Sequence, residues 1–382
     1  MNNVKDFIKQ HNDDLFKTIK ELAVIPAPSN DEGERAEFCK NWLINKGITT
    51  AYIDEAQNVI VPMNIENSSE ITVIEAHTDL VFDKNVPLTY IDDGTFIHCP
   101  GISDDTVSAV ILMKTIEYYY NNLDKPVLFV LNSGEEGLGN LRGTRQIFKD
   151  FQGRIKQFVT YDSTLAKINT RCVGSHRYLV TVKTEGGHSY TAFGNENAIN
   201  QLSKMVTEIY NIQVPQKENS KTSYNVGTIS GGTSVNTIAQ QAQMLCEYRS
   251  DDVECLDYMK KQFENIFENA KNQGVNLTVE LVGERPCMAK DIDIKKIDDL
   301  YNLCKTIIES VAKNEKVFSA PGSTDANIPL SLKVPAVCIG VCNGYKSHTY
   351  EEYVEKSSIP LGLEISINLI NALTKIGDKN NV

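Results

Sequence analysis

Apolar positions along the chain follow two periods. From Val4 to Val24, the residues Phe7, Ile8, Leu15, Phe16, Ile19, Leu22 and Ala23 recur at helical spacing and predict one helix with a single buried stripe. Ile25-Pro26-Ala27-Pro28-Ser29 ends it, and a second helix is expected from Asp31 to Asn45, closed by Gly47. Short apolar runs then predict strands at Ile71 to Ala76, Val127 to Leu131, Phe158 to Tyr161 and Val337 to Val341. A helix after Asp105 carries Val107, Val110, Ile111 and Ile116. This alternation predicts an α/β fold in which helices cover both faces of a mainly parallel sheet.

The pattern changes after Asp162. Residues His176 to Lys183 alternate as a half-buried strand, and Ala198, Leu202, Met205, Val206 and Ile209 mark a helix. Strands are expected at Ser223 to Ile229 and Ala239 to Arg249, then a helix through Leu256, Met259, Phe263, Ile266, Phe267 and Ala270, then a strand from Leu277 to Val282. The order is βαββαβ, a ferredoxin-like unit able to bury its own core. It predicts an inserted lid domain at 173–287, with the catalytic domain formed by 1–172 and 288–382. Helices from Ile294 to Ala312 and from Pro360 to Lys375 complete the second part, and Lys379 to Val382 reads as a frayed tail.

A chain of 382 residues is long for one core, in keeping with more than one domain. Its 38 Lys+Arg against 50 Asp+Glu give a net charge of −12, which disfavours nucleic acid or an anionic membrane as a partner and favours a small-molecule or peptide substrate. No apolar run approaches the roughly 20 residues of a membrane span. The nine cysteines are scattered and follow no charged and apolar leader, which implies a reduced, cytoplasmic setting. The closest pair, Cys338 and Cys342, reads as core.

Five residues able to bind metal occur in the order His77, Asp104, Glu136, Asp162, His348. Three of them closely follow predicted strands, whose carboxyl ends line one crevice in an open α/β sheet. Together they point to a two-metal hydrolase. In His77-Thr78-Asp79 the two outer side chains share one side of an extended segment, so Asp79 can take the second N–H of a metal-binding imidazole. Ser103-Asp104-Asp105 reads as an N-cap for the following helix, a position that also keeps a carboxylate ionised. Adjacent Glu135 and Glu136 would repel in a cleft unless a dication stood nearby, leaving one Glu to bind metal and the other to move protons. Singly, each of these is an ordinary polar residue, and position gives them their weight. His11 reads as a surface residue, and His98 and His176 as structural. His188, after Gly186-Gly187, sits on a loop able to approach a substrate.

The ordered set resembles the zinc exopeptidase and amidohydrolase family that includes peptidase T, carboxypeptidase G, aminoacylase and succinyl-diaminopimelate desuccinylase. The matching segments are His77-Thr78-Asp79, Gly101-Ile102-Ser103-Asp104-Asp105, Gly134-Glu135-Glu136-Gly137, Asp162, Gly187-His188-Ser189, Gly231-Gly232-Thr233-Ser234-Val235-Asn236 and His348. The resemblance implies that His77 and Asp162 hold one metal, Glu136 and His348 the other, and that Asp104 bridges them. It implies Glu135 as general base, Asp79 as the residue orienting His77, a cis Asp104–Asp105 peptide, and a lid that dimerises. His188 and Asn236 would then reach substrate in the partner's site, with Arg249 as a substrate-carboxylate ligand. Many members carry Lys after the paired Asp, where this chain has Thr106. Gly322-Ser323-Thr324-Asp325 resembles a loop near the site in peptidase T relatives, which favours that branch and adds Thr324 to the substrate-binding candidates.

The implied reaction is hydrolysis of a short peptide by water activated at two Zn²⁺, with Co²⁺ or Mn²⁺ as alternatives for such N/O ligands. The competing readings are an N-acyl-amino-acid amidohydrolase, a co-catalytic zinc aminopeptidase of the other family with this ligand order, and a metal-dependent peptide-binding protein without turnover. Members of that other family usually lack so large an insertion before the last ligand. Retention of Glu135 argues against pure binding.

Overall fold

A computed structural model describes residues 4–120 and 122–375, the last of these by its backbone alone. The predicted tail at Lys379 to Val382 lies outside the described residues. The chain forms two compact units, one from residues up to Cys172 together with those from Asp291 onward, the other from Val173–Lys290.

The first unit is built on an eight-stranded sheet. Its spatial order is Tyr52–Ile53, Val59–Met63, Val127–Asn132, Ile71–His77, Ile155–Tyr161, Ala336–Ile339, Lys167–Cys172 and Phe318–Gly322. The four central strands run parallel. Antiparallel pairings flank them, Val59–Met63 on one side and Lys167–Cys172 on the other. Every residue of Ile71–His77 and Val127–Asn132 is buried, as expected of parallel strands covered on both faces.

Side chains alternate between the two faces. Ile74, Ala76, Phe129, Leu131, Val159 and Tyr161 join the main core with the helices Val4–Ala23, Val107–Tyr119, Ile294–Val311 and Ser358–Lys375. On the opposite face, Phe158 meets Phe148 of the helix Arg142–Asp150 at 6.0 Å between ring centroids, and Glu75 accepts a hydrogen bond from Thr144 of that helix. The buried ammonium of Lys114 pairs with Asp14 and Glu117 and lies 5.0 Å from the Trp42 ring. His11 stacks on Phe7 beside this network. Two ammonium groups, Lys46 and Lys114, already occupy its carboxylates, so it is not a cation site.

Beyond the strands named from the sequence, the unit contains Tyr52–Ile53, Val59–Met63, Lys167–Cys172 and Phe318–Gly322 in the large sheet, and a further small sheet. Ile91–Asp92, Phe96–His98, Gly344–Tyr345 and Tyr353–Glu355 form a small antiparallel sheet of two- and three-residue strands. His98 is structural here, bonded to Asp93 and packed against Tyr353.

The second unit is an antiparallel sheet in the spatial order Thr222–Gly231, Gln241–Ser250, Gly174–Lys183, Asn276–Arg285. Its helices Ala198–Tyr210 and Val253–Asn272 are N-capped by the side chains of Asn197 and Asp252. This is the ferredoxin-like arrangement, and it has its own core. His176 lies within this unit, its Nδ1 2.5 Å from the Tyr248 hydroxyl.

Gly362 marks a tight approach of the closing helix to the segment just after the strand Ala336–Ile339, because a Cβ there would lie 1.6 Å from the Val341 carbonyl oxygen. Gly362→Ala therefore forces that helix outward and is expected to cost about 1–3 kcal/mol, read as a lowered Tm. An unchanged Tm would show that the contact is slack.

Candidate metal centre

Three parallel neighbours deliver the first residues. His77 is the last residue of its strand, Glu135 and Glu136 follow the strand ending at Asn132, and Asp162 follows the strand ending at Tyr161. Parallel pairing brings these carboxyl ends to one edge. Asp104 arrives on a wide turn, Ile102–Thr106, and His348 on the loop between the last two strands of the small sheet, with a left-handed φ of 66°.

Asp104 sits between the two histidines. Its Oδ1 is 3.1 Å from His77 Nε2, and its Oδ2 is 3.1 Å from His348 Nε2. His348 Nε2 is also 3.0 Å from Glu136 Oε1. Potential ligand atoms of His77, Asp104 and Glu136 lie within 4.8 Å of one another, as do those of His77, Glu135 and Asp162. The structure thus brings together all five predicted ligands and Glu135, with one oxygen of Asp104 directed to each histidine.

The charge balance explains why such a set needs cations. Burial raises Asp162 well above the usual carboxylate range, reinforced by Asp104 and Glu135, and burial lifts Glu136 to about 7. Asp104 is pulled the other way: burial opposes ionisation, but the two imidazoles outweigh it. Hydrogen bonds from Asp104 and Glu136 hold the His348 proton up to about 11, and His77 is likewise raised, against burial, by Asp104 and Asp79. Protonated histidines here stand in for positive charge that dications would supply. An all-N/O donor set with a carboxylate spanning two imidazoles fits two such ions.

Two expectations for the flanking residues are revised. Asp104 is not an N-cap: it and Asp105 have non-helical backbone angles joined by a cis peptide, and the helix Val107–Tyr119 begins without a side-chain cap. His77 Nδ1 lies nearer the backbone carbonyl of Asp79, at 3.2 Å, than its carboxylate, at 3.5 Å. The carboxylate is mainly engaged elsewhere. It accepts the backbone N–H groups of Glu135 and Glu136 at 3.0 and 2.9 Å and the Ser29 hydroxyl at 2.6 Å. Asp79 therefore shapes the Glu135-Glu136 turn as well as flanking His77.

Sequence reasoning missed several supports. Asp105 Oδ2 accepts the His77 N–H. Asp325, quoted only as part of a loop motif, is buried and bonded to Asn132 and Thr144, and burial lifts it to about 6. Glu352 accepts the N–H groups of Gly101, Ser103 and Asp104 and the Ser103 hydroxyl. Gly101 has φ 74°, and a Cβ on it would lie 2.2 Å from Leu80. A Glu four residues after a candidate His was the one local signal for Glu352.

Thr324 is buried, and its hydroxyl accepts the Ala326 N–H within its own turn. Within the second unit, Gly187–His188 pairs with Thr237–Ile238, and Ser189 N–H donates to the Asn236 carbonyl. His188 and Asn236 thus share one exposed ribbon. Arg249 is bonded to Glu247 at 2.7 and 3.0 Å. No described helix is long and apolar enough to cross a membrane.

Residues 73–372 match the family described as Peptidase family M20/M25/M40. A "Peptidase M20 domain-containing protein" of Schizosaccharomyces pombe is 24% identical over 349 residues, covering 87% of this chain and 84% of that protein. Among solved structures, a tripeptidase of Staphylococcus aureus aligns with TM-score 0.71 at 19% identity, over 94% of this chain and 98% of that one. A Bacillus subtilis protein described as a dinuclear metal binding peptidase aligns with TM-score 0.62 at 17% identity, over 96% and 99%. At these identities the structures share the fold.

Since His348, held up to about 11, and Glu136, lifted to about 7, must lose their protons to act as ligands, metal binding is expected to release protons and to weaken as pH falls below about 11, more steeply below about 7. Calorimetry in buffers of different ionisation enthalpy measures that release. A pH-independent affinity with no proton release would remove His348 and Glu136 from the ligand set.

Proposed function

Because the chain belongs to Peptidase family M20/M25/M40 and carries that family's metallopeptidase domain, we propose that it hydrolyses short peptides as a dinuclear exopeptidase of the tripeptidase or aminopeptidase type. The observation that carries this reading is the carboxylate of Asp104, with one oxygen toward each of His77 and His348. His77 and Asp162 would hold one Zn²⁺, Glu136 and His348 the other, and Asp104 would bridge them. Co²⁺ or Mn²⁺ would suit the same donors. Bound there, two dications would acidify a water molecule and polarise the scissile carbonyl.

Glu135 would act as the general base. It is buried, its N–H is fixed by Asp79, and it stands among the same donor atoms as His77 and Asp162. Glu135 takes a proton from the attacking water and returns it to the leaving amine. Asp79 holds the turn that aims Glu135. His188 donates a hydrogen bond to the carbonyl oxygen as negative charge develops on it, and Asn236, its neighbour on the ribbon, contacts the substrate. Thr324 lines the substrate site. Arg249 exchanges part of its pairing with Glu247 for the substrate carboxylate, an interaction suited to bidentate geometry. In this reading the protein is a cytoplasmic homodimer joined through the second unit, each lid completing the partner's site.

Glu135→Gln is expected to retain two metals and to lose about 10²–10⁴-fold in kcat, measured by metal analysis alongside peptide hydrolysis. The substrates are di- and tripeptides and N-acyl amino acids with free-amine detection. Near-wild-type kcat removes Glu135 from the mechanism, and turnover confined to N-acyl amino acids replaces the peptidase reading with a deacylase.

Mixing Glu135→Gln with His188→Ala protein is expected to restore part of the activity, since a mixed dimer can pair an intact Glu135 with an intact His188. No recovery after verified subunit exchange would place His188 in its own chain's site or outside catalysis.

A further inference from the structure

The helix Gly33–Asn45 sends one charged side chain into the interior, and among the described residues that side chain makes no direct ion pair. Arg35 is fully buried. Its Nε donates to the Ile25 carbonyl at 2.8 Å, and its Nη1 to the Thr78 carbonyl at 3.1 Å and the Thr106 hydroxyl at 3.0 Å. Its Nη2 has no partner among the described residues. These contacts join three segments: the loop after the first helix, the His77-Thr78-Asp79 run, and the end of the turn that carries Asp104. Thr106 extends the link by donating to the Gly101 carbonyl at 2.6 Å.

The start of the same turn is held by a buried carboxyl group, which burial lifts to about 7. Glu352 is buried, its Oε2 accepts the Gly101 N–H at 2.8 Å, and its Oε1 accepts the N–H groups of Ser103 and Asp104 at 2.8 and 3.0 Å and the Ser103 hydroxyl at 2.7 Å. A buried guanidinium is costly unless opposite charge lies near. Burial draws Arg35 down to about 10, while the carboxyl groups of Asp79 and Glu352 favour its charged form.

We infer that Arg35 and Glu352 form a split ion pair that grips the Gly101–Thr106 turn from its two ends and so fixes the Asp104 carboxylate between the two histidines. Both are positioning residues. The inference rests on the dinuclear reading above, because a fixed bridging carboxylate matters only where two metals share it. The separation has a physical reason: in direct contact the two groups would satisfy each other, whereas apart each spends its hydrogen bonds on the backbone and side chains of the ligand turn.

The test compares wild type, Arg35→Met, Glu352→Gln and the double variant. Zn²⁺ affinity is measured by chelator competition, geometry by the visible spectrum of the Co²⁺-loaded protein, and folding by Tm. Each single variant is expected to stay folded, to bind the second metal about 10–100-fold more weakly and to show an altered Co²⁺ spectrum. The double variant is expected to lose less than the two single losses combined, since removing both charges relieves the imbalance each substitution creates. A folded Arg35→Met protein with wild-type affinity for both metals and an unchanged spectrum overturns the proposal, as do strictly additive losses.

If Arg35→Met does not fold, Arg35→Lys and Thr106→Val probe the same link. The first keeps the charge without the forked geometry, and the second removes the hydroxyl joining Arg35 to the turn. Weakened binding of the second metal in both supports the proposal, and wild-type binding in both overturns it. Wild-type protein that holds fewer than two metals defeats the dinuclear reading itself, and this inference with it.

Discussion

The catalytic unit is governed by one electrostatic constraint: His77, Asp104, Glu135, Glu136, Asp162 and His348 meet at one sheet edge, and their carboxylates cannot all ionise there without positive charge among them. Asp104 raises the proton affinity of both imidazoles, and the two imidazoles in turn favour the ionised Asp104 carboxylate against its burial. Dications at the same place would neutralise more charge and release those protons. The N/O donor set gathered there suits divalent cations.

Holding such a set open requires a rigid frame, and backbone hydrogen bonds supply most of it. Asp79 clamps the Glu135-Glu136 turn, Glu352 the turn that carries Asp104, and Asp105 the His77 amide. Each carboxyl group accepts backbone N–H groups, which fixes a loop. The same economy explains the buried Arg35, whose hydrogen bonds go to carbonyls and a hydroxyl rather than to a carboxylate. The second unit has a different task and accordingly a different surface. Its sheet and helices bury an independent core, while His188 and Asn236 remain exposed on a short ribbon.

The sequence alone determined the α/β class, the inserted βαββαβ unit and the identity of the residues that converge. Both periodicities are local properties of side chains, and the short, largely apolar runs Ile71 to Ala76 and Val127 to Leu131, set between helical patterns, read as buried parallel strands. Strands of two or three residues, such as Gly344–Tyr345 and Tyr353–Glu355, have no period to read, so the small sheet that positions His348 became visible only in three dimensions. Tertiary structure also decided what each polar group does. Asp104 looked like a helix cap because it precedes an apolar helix, yet its oxygens face two histidines brought from opposite ends of the chain. Ser29 and Arg35 carry no local signature for their tie to the site, because the partners there lie more than 40 positions away, and the partners of Asp325 and Glu352 are more distant still; hydrogen bonding depends on spatial proximity rather than sequence.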